Sequence, residues 1–178
     1  MEEEPRCLHT FTGRTFFPEF PPLHDYAIED IAHALSNTCR FAGHTRKFYS
    51  VAQHSVLVRR RVSDALGLWA LLHDASEAYL CDLPTALKHS PDLEGYRRVE
   101  RRVMFQIAAK FHLWPTVEPP EIKLADRAVL DLELPLLRMD ETPTLVPQPP
   151  EVAEKAFLRE FLELWGRREV QRLMGGSP

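Results

Sequence analysis

Three polar residues interrupt an otherwise apolar run near the middle of this 178-residue sequence. His73 and Asp74 are adjacent, and Glu77 follows four residues after His73. Good helix formers surround them, so the run predicts one continuous helix, over about 64–80, with His73 and Glu77 on one face. Imidazole and carboxylate groups are costly to bury unless a metal ion or a hydrogen-bond network satisfies them. Taken alone, a His-Asp pair is more often a simple pair at a helix edge.

Two other predicted helices each carry one polar residue inside an apolar segment. His54 lies among valines, and Asp126 follows Leu124 and Ala125. A lone histidine of this kind is usually a satisfied core residue. Packing of the three helices could nevertheless bring four candidate ligands to one point: His54, His73, Asp74 and Asp126. This nitrogen and oxygen set, without thiolate, suits one Mn²⁺, Fe²⁺, Co²⁺ or Zn²⁺ ion and leaves positions open for water and substrate.

A loop from Cys39 to Tyr49 is rich in cationic and aromatic residues. It contains Arg40, Phe41 and Lys47. Cationic side chains hold phosphates, and an aromatic face can stack on a base. A solvated loop with two core aromatic residues is an equally good interpretation of the same pattern. His44 in this loop could protonate a leaving oxygen, although support of the loop is the preferred interpretation.

Apolar periodicity predicts an all-α fold. In addition to the helix that carries His73, we predict helices over about 27–38, 91–111, 118–139 and 151–174. A further helix begins with a capping box at Ser50. Pro135 should kink or divide the helix over 118–139. No Val/Ile-rich alternation predicts a sheet. We expect one domain over 25–174, preceded by an N-terminal arm over 1–24 in which prolines, among them Pro21 and Pro22, exclude a helix. Phe16 and Phe17 are expected to pack into the core, and a substrate lid is the alternative.

Composition excludes several classes of protein. The net charge is -4, which argues against nucleic-acid binding. The three cysteines are scattered without C-x-x-C spacing, which argues against a disulfide framework and favours a reducing cytoplasm. The acidic N-terminus lacks the apolar segment of a signal peptide, and no stretch approaches the length of a transmembrane helix.

The spacing His54…His73-Asp74…Asp126 resembles the H…HD…D signature of the HD-domain metal-dependent phosphohydrolases. The likeness extends to the surrounding blocks: Ser50–Ser55, Leu72–Glu77, Asp82–Thr85 with Lys88, and Lys123–Asp126. These blocks are similar to those of HD-type 5′-deoxynucleotidases and of phage-type HD deoxynucleoside triphosphohydrolases. The resemblance covers about residues 28 to 138 and implies an HD-domain helical bundle.

The resemblance also implies roles for individual residues. The two histidines and two aspartates would bind one divalent ion, and Glu77 would orient or deprotonate the attacking water. Arg40 and Phe41 would lie near the phosphate and sugar, Asp82 would read the sugar 3′-hydroxyl, and Lys88 would bind phosphate, with Lys47 or Arg46 assisting. The sequence departs from the family at Gln53, where a glutamate is common, and at Phe41, where a tryptophan is common. Both departures concern nucleotide preference more than chemistry.

These implications predict a soluble, homo-oligomeric hydrolase of nucleotide phosphates, acting on either monophosphates or deoxynucleoside triphosphates. A non-catalytic nucleotide sensor is the alternative, although Glu77 argues against it, and a hydrolase of another phosphate ester or cyclic nucleotide is also compatible with the fold. We interpret His33 as a structural partner. Asp131 and Glu133 are interpreted as surface charges or partners of helix pairs. A second metal is not expected, since nothing around His89 or His112 marks either as a ligand.

Overall fold

The computed structural model describes residues 6–20, 25–115, 117–138 and 142–174. It confirms the all-α class. The helices are α1 Ile28–Asn37, α2 Val51–Arg59, α3 Asp64–Leu72, α4 Glu77–Leu80, α5 Thr85–Lys88, α6 Glu94–Lys110, α7 Pro120–Glu133 and α8 Pro150–Leu173. Short 3₁₀ segments cover Arg40–Gly43, Pro91–Leu93 and Leu134–Leu136.

The core forms where α8 packs along α1, α2 and α3, and where α2 also packs against α7. Each of these helices contributes a fully buried apolar side chain: Leu35, Val58, Leu71, Ile122 and Phe157. Helix α2 lies between several neighbours, and its residues from Val51 to Val56 are buried without exception. A polar group on this helix is therefore held rigidly and away from water, which bears on His54.

The N-terminal arm contains a small antiparallel hairpin, so the expectation of no sheet is wrong at this point. Strands β1 Leu8–His9 and β2 Thr15–Phe16 pair across a turn in which Gly13 has φ +83°. The backbone and hydroxyl of Thr12 both donate to the buried Asp30 of α1. Phe16 packs on Tyr79, as the expected core role requires. The prolines at 21 and 22 lie outside the described residues.

The helix predicted over 64–80 is in fact divided. Helix α3 ends at Leu72, and α4 begins at Glu77. Between them the amide bonds shorten to the i→i−3 pattern, with Ala75 donating to Leu72 and Glu77 to Asp74. The imidazole of His73 bonds to the Ala70 carbonyl, the group that the Asp74 amide would use in an uninterrupted helix. The turn therefore changes the direction of the chain at the candidate ligands.

Other boundaries follow from proline. Helix α7 ends at Glu133, and Pro135 lies in the 3₁₀ segment that follows, as expected of a residue that divides a helix. The predicted end near residue 139 lies outside the described residues. Pro91 opens a 3₁₀ turn before α6 begins at Glu94. Among the described residues, no helix is both long enough and apolar enough to cross a membrane.

Candidate metal centre

Three of the four predicted ligands converge where α2 meets the turn between α3 and α4. His54, His73 and Asp74 each present one ligand atom, and the three atoms lie within 4.8 Å of one another. The Nε2 atoms of the two histidines are 3.3 Å apart, and Oδ2 of Asp74 is 3.1 Å from His73 Nε2. Asp126 reaches in from α7, with Oδ1 at 3.2 Å from His54 Nε2. The four residues thus come together as the spacing predicted.

Hydrogen bonds on the far side of each ring fix the tautomers of both histidines. Nδ1 of His73 lies 2.8 Å from the carbonyl oxygen of Ala70, which can only accept, so Nδ1 carries a proton. Nδ1 of His54 lies 2.7 Å from Oε1 of Glu133, and it donates to that carboxylate. The Nε2 atoms of both rings therefore direct their lone pairs at the same point. Two facing lone pairs repel, so a cation or a shared proton must lie between them.

The charges around this point bear on its protonation. Burial lowers the pKa of His73, but Asp74, Asp126 and the hydrogen bonds of the ring together raise it to about 9. Burial would raise the pKa of Asp74, but His73, with smaller contributions from His54 and Arg40, lowers it. These shifts favour a protonated His73 beside an ionised Asp74. A divalent ion fits the same donor set and would take the place of that proton, since oriented imidazoles and carboxylates are its usual ligands.

Glu133 was expected to be a surface charge or a partner in a helix pair, and that prediction is wrong. Its side chain is fully buried at the inner end of α7. One oxygen accepts from His54 and from the hydroxyl of Tyr49, and the other accepts from Arg40. Three donors satisfy the carboxylate, which is why burial is tolerated. Asp131, two residues earlier, is exposed as expected.

Glu77 lies beside the cluster at the start of α4 and is buried. Burial, together with Asp74 and Asp82, holds its pKa well above the ordinary value. Oε1 lies 3.4 Å from Lys88 Nζ, whereas the buried Oε2 has no hydrogen-bond partner in the structure. An unsatisfied carboxylate oxygen next to a cation site is suited to hold a water molecule or accept its proton.

Two predicted substrate residues lie near Glu77. Lys88 is half-buried and also pairs with Glu100 of α6 at 2.7 Å. Burial raises the pKa of Asp82. Glu118 was not anticipated, although it lies before α7 close enough to His73 and Asp74 for their charges to act on it. Burial raises its pKa as well, and its position among prolines at the start of the helix was the available signal.

The loop after α1 brings Arg40 to the cluster but leaves Lys47 exposed at the surface. Nη2 of Arg40 is 3.0 Å from Glu133, Nη1 is 3.7 Å from Asp74, and the guanidinium lies 5.2 Å from the ring of Phe41. Positive φ angles at Phe41 (56°), Ala42 (50°) and Gly43 (79°) give the loop its tight course. His44 is exposed, and its amide bonds to the Phe41 carbonyl, in keeping with a supporting role.

Gln53 is a structural residue. Its side-chain amide donates to the carbonyl of Val146 at 2.9 Å, and its oxygen accepts from the amide of Gln148 at 2.8 Å. An amide supplies both the donor and the acceptor that this contact needs. The glutamine that stands here in place of the family's glutamate therefore holds the loop before α8 in position.

A large cavity of about 960 Å³ lies apart from the metal centre, between α3, the end of α6 and α8. Trp69, Trp114 and Trp165 contribute to its walls. None of the predicted ligands lines it, so size alone does not identify the site where chemistry would occur.

Two bacterial proteins are similar to this chain. "Uncharacterized protein YfdR" of Escherichia coli (strain K12) is 42% identical over 134 residues, which cover 75% of this chain and 74% of that protein. An uncharacterized protein of Rhodobacter capsulatus is 39% identical over 117 residues, which cover 61% of this chain and 59% of that protein. No protein-family model matches the chain.

Proposed function

The chain belongs to the same family as YfdR of Escherichia coli, and we propose that it is an HD-type, divalent-metal-dependent phosphohydrolase of nucleotides. The observation that supports this most is the convergence of the two Nε2 atoms with Asp74, each ring fixed from behind by an acceptor. A purely structural histidine pair has no need of two lone pairs aimed at one point.

The bound ion would be held by His54, His73, Asp74 and Asp126. Such an ion lowers the pKa of a bound water and offsets the charge that develops on a transferring phosphoryl group. Co²⁺, Mn²⁺, Zn²⁺ and Fe²⁺ all suit the mixed nitrogen and oxygen donors.

The chain's own residues supply the rest of the reaction. Glu77 orients the attacking water through its unpartnered Oε2 and takes its proton. Arg40 and Lys88 hold the phosphate oxygens, and Phe41 lies against the sugar or base. Asp82 accepts a hydrogen bond from the sugar hydroxyl. Lys47 is too exposed to belong to this set without movement of its loop.

We also propose a cellular compartment and an oligomeric state. All three cysteines are unpaired, which suits a reducing cytoplasm. We expect a homo-oligomer whose substrate is a small phosphorylated molecule rather than a nucleic acid.

A product analysis tests the proposal. Purified protein is incubated with Mn²⁺ or Co²⁺ and a panel of nucleoside 5′-monophosphates, deoxynucleoside triphosphates and cyclic nucleotides. Free phosphate identifies a nucleotidase, tripolyphosphate identifies a triphosphohydrolase, and a linear product from a cyclic substrate identifies a diesterase. Asp74→Asn should remove activity, and the exposed Asp131→Asn should not. If none of these products forms and nucleotides still bind tightly, the protein is a nucleotide sensor and not an enzyme.

A further inference from the structure

We infer that Glu133 is a positioning residue that joins the metal centre to the phosphate-binding arginine. It would fix the ring of His54 and the guanidinium of Arg40 with one carboxylate. This rests on the proposed function, because it assigns Arg40 to the substrate.

The two oxygens of Glu133 accept hydrogen bonds from different residues. Oε1 lies 2.7 Å from His54 Nδ1 and 2.6 Å from the hydroxyl of Tyr49. Oε2 lies 3.0 Å from Arg40 Nη2. The carboxylate is fully buried, so water cannot take over any of these bonds if the side chain is removed. Loss of Glu133 therefore leaves three buried donors without their acceptor.

The bond to His54 bears on metal affinity. A carboxylate behind a ligand imidazole fixes the tautomer and makes the opposite nitrogen a better donor, and its loss typically costs about 10–100-fold in metal affinity. The imidazole of His54 is thereby held with its Nε2 facing Oδ2 of Asp74 at 3.6 Å and Oδ1 of Asp126 at 3.2 Å.

The bond to Arg40 bears on substrate affinity. Arg40 is only 12% exposed, and its guanidinium lies between Glu133 and Asp74. Its Nε is buried and has no hydrogen-bond partner in the structure. Glu133 thus holds one edge of the guanidinium and leaves another donor available. Since the same carboxylate orients a metal ligand, metal and phosphate should bind cooperatively through it.

The experiment compares three variants of the full chain. Glu133→Gln keeps the size but removes the charge. Asp131→Asn removes the same charge from the exposed face of α7. Tyr49→Phe removes one buried donor to Oε1 and leaves His54 and Arg40 in place. Mn²⁺ affinity is measured by competition with a chromophoric chelator, and inorganic phosphate affinity is measured by calorimetry with and without Mn²⁺.

We expect Glu133→Gln to weaken Mn²⁺ binding by about 10–100-fold and to abolish the gain in phosphate affinity that Mn²⁺ produces. Tyr49→Phe should lower thermal stability yet retain Mn²⁺ affinity, and Asp131→Asn should change neither. If Glu133→Gln lowers thermal stability alone, and its folded form binds Mn²⁺ like the wild type, Glu133 is merely structural and the inference is overturned.

A measurement on the wild type covers the case in which Glu133→Gln does not fold. Nitrogen NMR of the metal-free protein should show that Nδ1 of His54 carries a hydrogen-bonded proton. The opposite tautomer would overturn the inference. The role of Glu133 and the proposed hydrolase activity can also fail independently of each other. A wild type that hydrolyses no nucleotide, yet loses Mn²⁺ affinity on Glu133→Gln, defeats the enzyme proposal and supports the ligand-positioning role.

Discussion

Glu77 Oε1 lies 3.4 Å from Lys88 Nζ, whereas the other oxygen of Glu77 is buried without a hydrogen-bond partner in the structure. The two oxygens therefore have different environments. The ammonium offsets part of the cost of burying the carboxylate next to Asp74. The unpartnered oxygen remains available to a water molecule.

Glu77→Gln should abolish the proposed hydrolysis and preserve metal binding. The amide has nearly the shape of the carboxylate but cannot take a proton, and general-base catalysis typically contributes about 10²–10⁴-fold to the rate. We expect kcat to fall by that factor, while Mn²⁺ content and thermal stability stay close to the wild type. Steady-state kinetics and metal analysis on the same sample measure both. Turnover that remained within about threefold of the wild type would remove the assigned role of Glu77.

Lys88→Met should move the acid limb of the pH–rate profile to higher pH. Lys88 lowers the pKa of Glu77, against the larger effect of burial, which raises it. Without the ammonium, Glu77 stays protonated to higher pH, so activity that needs the carboxylate is lost first on the acid side. Phosphate binding should weaken at the same time. The pH dependence of kcat separates the two effects, with Lys155→Met on the exposed face of α8 as control. An unshifted acid limb would show that Glu77 does not limit it.

The contrast between the ligands and Glu133 shows what sequence could predict. Adjacent His73 and Asp74, with His54 and Asp126 in apolar helices, carry a recognisable spacing, and the structure brings them together. Glu133 gave a weaker signal, since it resembles its exposed neighbour Asp131. It does lie seven residues, two helical turns, after Asp126 and so shares its face. Its donors, however, come from parts of the chain far away in sequence.

The break between α3 and α4 could not be predicted from the local sequence either, because contacts from elsewhere in the chain produce it. Helix propensity favours a continuous helix through His73, because the residues around it are good helix formers. The hydrogen bond from its ring to Ala70 competes with the backbone ladder, and the orientation of the ring depends on His54 of α2, which lies across the site. Tertiary contacts therefore decide the local backbone at the place where the chemistry is expected.

Gln53→Glu should destabilise the fold. A carboxylate would lose the donor to Val146 and face that carbonyl oxygen with a negative charge, in a position that is 5% exposed. Val146 is 72% exposed, so water can replace the donor that its carbonyl loses. The cost comes mainly from the charge added at the buried position 53, and it should be on the order of 1–3 kcal/mol. Urea unfolding should show a lower midpoint for Gln53→Glu, with the exposed Gln171→Glu as matched control. Equal midpoints for the two variants would mean that the contact with the loop at 146–148 contributes no stability.

Metal binding should release protons, and its apparent affinity should rise with pH. In the metal-free protein the pKa of His73 is raised to about 9, because Asp74, Asp126 and the hydrogen bonds of the ring together outweigh the opposite effect of burial. An ion must therefore displace that proton at neutral pH, so apparent affinity should increase roughly tenfold per pH unit up to about pH 9 and level off above it. Calorimetry of Mn²⁺ binding in buffers of different ionisation enthalpy counts the protons. The count should be close to one near pH 7 and should fall towards zero above the pKa of His73, while Asp131→Asn should give the wild-type count throughout. No proton release near neutral pH would mean that the cluster is not held by a protonated His73 before the metal arrives.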